Sequence, residues 1–121
     1  MLFKNKTVVI TGCNKGIGYE ILKKFHKHGA NIYACVRSKN ENFLKKITEL
    51  QKNSENKIYI KSLDLQKEES TKAAANEILA EKKDIDILIN NAGDIYTNLF
   101  QMTSISKFKT FIALSTIKSF L

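Results

Sequence analysis

The sequence predicts a three-layer α/β fold built on a doubly wound parallel sheet. Short β-branched runs alternate with amphipathic segments of about ten to fifteen residues. Those runs are apolar on both faces, and a glycine-rich loop separates the first run from the first amphipathic segment. Alternating strands and helices imply right-handed crossovers and a parallel sheet. Strands apolar on both faces imply a helix layer on each side. The glycine loop marks a switch point between strands 1 and 4, so the expected spatial order is 3-2-1-4.

Thr7–Ile10 is read as a buried strand. A helix from Gly16 to His28 places Ile17, Ile21 and Phe25 on one stripe, and Gly29 closes it. Asn31–Val36 is the second strand. Glu41–Lys52 is the second helix, with Phe43, Leu44, Ile47 and Leu50 inward at helical spacing. Asn53-Ser54-Glu55-Asn56 is a turn, and Lys57–Leu63 the third strand. A third helix covers Glu68–Lys82, with acids at its positive end and Lys82-Lys83 at its negative end. Ile85–Ile89 is the fourth strand. In 94–121, Phe108, Phe111, Ile112 and Ser115 fall at i, i+3, i+4 and i+7, so that segment is expected to be helical.

The chain has 121 residues, room for one domain. Its 43% hydrophobic and 26% charged residues exclude disorder, collagen and disulfide scaffolds. The formal charge of +8 raises the question of a nucleic-acid or acidic-membrane surface. The lysines are scattered or paired, and the chain is rich in Asn, Ile and Phe with no proline. That pattern fits AT-rich codon usage, so neither a nucleic-acid nor a membrane partner is expected. No stretch approaches the roughly eighteen apolar residues of a membrane span, and a cytoplasmic location is expected. Cys13 and Cys35 form neither a disulfide framework nor a zinc motif, and no metal site is expected. His26 and His28, two apart on a helix, face different ways and are expected at the surface.

Thr11-Gly12-Cys13-Asn14-Lys15-Gly16-Ile17-Gly18 joins the first strand to the first helix, where ligands of open parallel sheets bind. Gly12 would permit a tight turn, Gly16 close approach of backbone to a pyrophosphate, and Gly18 close packing of the helix. The helix N-terminus would supply free N–H groups and a positive dipole to phosphates. The spacing is neither the ordinary Gly-x-Gly-x-x-Gly nor a Walker A loop. Taken alone, it is also compatible with a tight turn that binds nothing.

A second motif, Asp86-Ile87-Leu88-Ile89-Asn90-Asn91-Ala92-Gly93, ends the fourth strand. The pair TGCNKGIG and DILINNAG resembles the classical short-chain dehydrogenase/reductase family, and the loop resembles its carbonyl-reductase branch. The resemblance covers residues 7 to about 109. It implies an NADP(H)-binding Rossmann-type half-domain over 1–109 and a divergent tail over 110–121. By the same resemblance the cofactor contacts are Gly12, Asn14, Lys15, Gly16, Ile17 and Gly18 in the loop. Asp64 and Leu65 would sit by the adenine, and Asn91, Ala92 and Gly93 beside the ribose. Asp86 and Asn90 are expected to brace sheet and loop.

A 2′-hydroxyl calls for an acid at the end of strand 2, and a 2′-phosphate calls for a cation. The chain places Arg37 there, its only arginine, with Lys15 as a second positive charge. Arginine pairs bidentately with phosphate in a way lysine cannot, although a solvated surface arginine is the plain alternative. The expected cofactor is NADP(H), and the implied reaction is hydride transfer to or from a small carbonyl or alcohol.

The family's catalytic Ser and Tyr-x-x-x-Lys find no match. Tyr19-Glu20-Ile21-Leu22-Lys23 has the string but opens the first helix, and Ser115 stands where the family's Asn is expected. No catalytic residue is assigned. A non-catalytic nucleotide-binding remnant or sensor is the alternative, and a full-length member would be expected to form a homo-oligomer.

Overall fold

A computed structural model describes residues 1–64, 67–81 and 84–91. The elements run β1 (Thr7–Thr11), α1 (Gly16–Lys27), β2 (Asn31–Val36), α2 (Glu41–Gln51), β3 (Ile58–Ser62), α3 (Glu68–Ala80) and β4 (Ile87–Ile89). The four strands form one sheet in the order β3-β2-β1-β4. All three pairings are parallel, with Val9 opposite Tyr33 and Leu88, and Tyr33 opposite Tyr59. The predicted fold and strand order are therefore observed. The tail over 110–121 lies outside the described residues.

Strand alternation divides the core in two. Val8, Ile10, Ile32, Ala34 and Val36 face Leu22 of α1 and Phe43 and Ile47 of α2. Val9, Tyr33 and Cys35 face the other way, toward Ala74 and Ile78 of α3. Successive strand side chains point to opposite faces, so two helix layers satisfy both faces of an apolar sheet. No helix among the described residues is long and apolar enough to cross a membrane.

Local chemistry sets the element ends. Asn40 caps α2, its Oδ1 accepting from the Phe43 N–H at 2.8 Å, as a short polar side chain at an N-cap does. Gly29 follows α1 at φ +94°, the left-handed exit expected of a C-terminal glycine. The N-terminal ends of the strands are tied by side chains. Asp86 Oδ2 accepts from Thr7 N–H at 2.9 Å, Asn31 Oδ1 from Lys57 N–H at 2.8 Å, and Gln51 Oε1 from Ile58 N–H at 2.9 Å. Asp86 thus braces the sheet as expected.

The helix stripes differ from the periodicity reading. The buried residues of α1 are Gly18, Leu22 and His26, whereas Ile17 is 74% exposed. Ile21 and Phe25 pack on the flank of the core. The stripe runs through Gly18 because only a residue without a side chain lets this turn approach the sheet so closely. On α2, Phe43 and Ile47 are buried, while Leu44, one position round the helix, is 38% exposed.

His26 is buried, not on the surface. Its Nε2 lies 3.1 Å from Ser54 Oγ, which donates to Asn56 Oδ1 at 2.6 Å. Asn56 Nδ2 donates to the carbonyls of His26 and Ala30 at 3.0 and 2.7 Å. Those two carbonyls fix the Asn56 amide, so its oxygen takes the Ser54 proton. Ser54 can then only accept from His26, and the neutral ring carries its proton on Nε2. Burial lowers the His26 pKa, opposed by the Asn56 backbone. The unfolded chain, titrating near 6.5, therefore binds more protons than the folded one, and stability falls as pH drops below that value. Melting curves should show a larger loss between pH 7.5 and 5.5 in the wild type than in His26→Gln. Equal losses would contradict the assignment.

Candidate cofactor site

The site is built at the C-terminal end of β1. Gly12 turns the chain at φ +63°, and its N–H donates to the Cys35 carbonyl at 3.0 Å, extending the β1–β2 ladder by one bond. The Cys13 side chain tucks beneath the loop, 3.7 Å from the Ile10 carbonyl and 3.8 Å from that of Cys35. Burial pushes its thiol up to about 12, so it is no nucleophile at neutral pH. Asn14 is half-buried and Lys15 exposed.

Gly16 opens α1 at φ +60°, a left-handed conformation that side chains rarely adopt. A Cβ on Gly16 would meet nothing within 4 Å, so the space over this turn is open. No side chain caps α1 and its first turn holds no acid, in contrast to α2 with Asn40 and Glu41. The helix therefore presents uncapped N–H groups and the positive end of its dipole to open space, an arrangement suited to an anion. The observed cradle fits a pyrophosphate.

Gly18 has a different task. A Cβ there would collide with the Gly12 carbonyl oxygen and the Asn91 side-chain nitrogen. Asn91 Nδ2 donates to that carbonyl at 3.2 Å, and Asn91 N–H donates to Thr11 Oγ1 at 3.0 Å. The Thr11 hydroxyl in turn donates to the Ile89 carbonyl at 3.5 Å. Thr11 and Asn91 thus tie the glycine loop to the end of β4. Sequence reasoning missed Thr11. Its signal was a buried hydroxyl at the last position of a β-branched strand, directly before the turn glycine.

The other described residues of the predicted set lie at the same C-terminal end of the strands. Arg37 follows β2 and is exposed, and Asp64 follows β3 half-buried, its N–H donating to Ser70 Oγ at 2.8 Å. Ile17 stands exposed on the first turn of α1. Asn90 is exposed after β4. Leu65, Ala92 and Gly93 lie outside the described residues. Lys23 of the Tyr19-x-x-x-Lys23 string is ion-paired with Glu20 at 2.9 Å, its ammonium over the Tyr19 ring face 5.1 Å from the centroid.

The sequence model of the short chain dehydrogenase family matches residues 6–120. The chain belongs to this family. Mouse (Mus musculus) retinol dehydrogenase 12 is 42% identical over 90 residues, which are 73% of this chain and 28% of that protein. The 3-oxoacyl-(acyl-carrier-protein) reductase FabG of Chlamydia muridarum is 34% identical over 93 residues, 76% of this chain and 37% of that protein. The chain therefore spans only about a third of the length of these relatives. Among solved structures, a hydroxysteroid dehydrogenase from Escherichia coli superposes with a TM-score of 0.72 at 24% identity, covering 96% of this chain and 53% of that one. The fold is the same at low identity.

The Thr11–Asn91 tie predicts a stability cost. Thr11→Val keeps the shape but leaves the half-buried Asn91 N–H without its acceptor, which costs about 1–3 kcal/mol. Urea unfolding should show the lowered midpoint, and an unchanged midpoint would mean that the tie contributes nothing.

Proposed function

We propose that this chain is the NADP(H)-binding portion of a short-chain oxidoreductase and that, by itself, it does not turn over substrate. The bound nicotinamide would supply the hydride that a carbonyl substrate accepts, or take one from an alcohol. Two relatives are named as a dehydrogenase of retinol and a reductase of a 3-oxoacyl group, and one structural neighbour is an NADP complex. These names support the reaction class.

Within this chain, the uncapped start of α1 would hold the pyrophosphate, with Gly16 leaving room for it. Asp64 would lie at the adenine and Asn91 at the ribose, on the side where it braces the loop. The observation that carries NADP(H) over NAD(H) is Arg37, an exposed guanidinium just past the end of β2 where an acid would serve a 2′-hydroxyl. A guanidinium–phosphate pair contributes about 1.5–3 kcal/mol. Arg37→Asp should therefore weaken NADPH binding at least about tenfold, and NADH much less. Fluorescence titration with both nucleotides checks this, and a wild-type chain binding NADH as tightly as NADPH would refute the assignment.

Turnover needs a proton donor within about 3 Å of the substrate oxygen, with its pKa tuned toward neutrality. Tyr19 does not provide one, because its lysine neighbour lies over the ring face and is held by Glu20. After Gly93 the only tyrosine is Tyr96, and Phe100 occupies the place of a partnering lysine. Ser115 in place of Asn also removes a proton-relay position. The purified chain, incubated with NADPH and a panel of aldehydes, ketones and quinones, should show no sustained loss of nicotinamide absorbance. Sustained turnover that Tyr19→Phe removes would mean that Tyr19 is the acid after all.

A further inference from the structure

Beside the start of α1 runs an open groove of about 780 Å³, walled in part by Lys15, Gly16, Tyr19 and Lys46. Lys46 belongs to α2, and its ammonium nitrogen stands 4.9 Å from the centroid of the Tyr19 ring. Lys23 stands 5.1 Å from the same centroid, so one aromatic ring receives two cations. The two are not equivalent. Lys23 is ion-paired with Glu20, which cancels most of its charge at a distance. Among the described residues no carboxylate forms an ion pair with Lys46, Lys15 or Arg37. The ring face attracts an ammonium through its quadrupole and carries no countercharge. Tyr19 therefore tethers Lys46 while leaving its field intact, and it does so from the same helix turn that begins at Lys15 and Gly16.

We propose that Lys46, tethered by Tyr19, is a specificity-determining residue that raises the preference for the 2′-phosphorylated dinucleotide through its field, without direct contact. The proposal rests on the NADP(H) reading above and deepens it. A 2′-phosphate adds about 1.5 to 2 negative charges to the ligand. A cation within about a Debye length of it attracts the phosphorylated ligand more strongly than its unphosphorylated counterpart. That difference is selectivity, and neither ligand need touch the lysine. Arg37 would supply the contact, and Lys15 and Lys46, which wall one groove beside the start of α1, would add positive potential.

Adenosine 2′,5′-bisphosphate and adenosine 5′-monophosphate differ only in the 2′-phosphate and engage only the adenosine half of the site. Calorimetric titration of the chain with each gives an affinity ratio. At low salt, Lys46→Gln should lower that ratio about two- to threefold, and in 1 M salt, where the Debye length is about 3 Å, the effect should vanish. Tyr19→Phe, which keeps the ring face, should retain the wild-type ratio, whereas Tyr19→Leu should reproduce the loss. Melting curves establish that each variant is folded. A folded Lys46→Gln with an unchanged ratio, or one that weakens both ligands equally, overturns the proposal and leaves the NADP(H) reading standing. A wild-type chain with no preference for the bisphosphate overturns the NADP(H) reading itself.

Discussion

The Gly12 carbonyl is where the architecture of the site converges. It receives the Asn91 amide from the end of β4 at 3.2 Å, and the same contact fills the space that any side chain at Gly18 would need. One acceptor thus joins β1, the end of β4 and the first helix. The direction of α1, and with it the open N-terminal turn, depends on this junction because Gly18 is the point where helix and loop touch. Thr11 reinforces it one residue earlier, accepting from Asn91 and donating toward Ile89. Each hydrogen bond contributes only about 1 kcal/mol. Their effect is geometric, since they hold four residues of the glycine loop and the strand ends in one arrangement.

The two ends of the sheet are finished in different ways. At the N-terminal end, Asp86, Asn31 and Gln51 each place a side-chain oxygen on a strand-entry N–H, and the Ser54–Asn56 turn closes over the exit of α1. Donors there are consumed by the protein itself. At the C-terminal end, α1 begins without a capping side chain and Gly16 faces open space. Buried polar groups must find partners, so one end closes on itself, while the other leaves the first N–H groups of α1 without a capping side chain. Arg37 and Lys15 are exposed at this same end.

The strands, their order and the site loop could be read from the sequence because each rests on local chemistry: a β-branched run, a glycine spacing, a turn cluster. Helix faces were less legible. The stripe through Ile17, Ile21 and Phe25 looked more apolar than the one through Gly18, Leu22 and His26, yet close approach at Gly18 decided the packing. His26 could not be placed from its own neighbours, since its partners Ser54 and Asn56 come from a turn nearly thirty residues later. Thr11 was hidden for a similar reason. A threonine in a strand reads as β propensity, and only the arrival of Asn91 from β4 makes its hydroxyl a structural joint.

The two cysteines lie on opposite sides of the sheet, Cys13 in the core beneath α1 and α2, Cys35 in the core beneath α3. Burial pushes both thiols up to about 12, which keeps them protonated and out of reach of reagents in the closed fold. Alkylation at neutral pH then proceeds only through transient opening, and each thiol reports on the layer that covers it. The molecule therefore carries two internal clocks, one for each helical layer. Their relative rates would show whether the layers come apart together or one at a time.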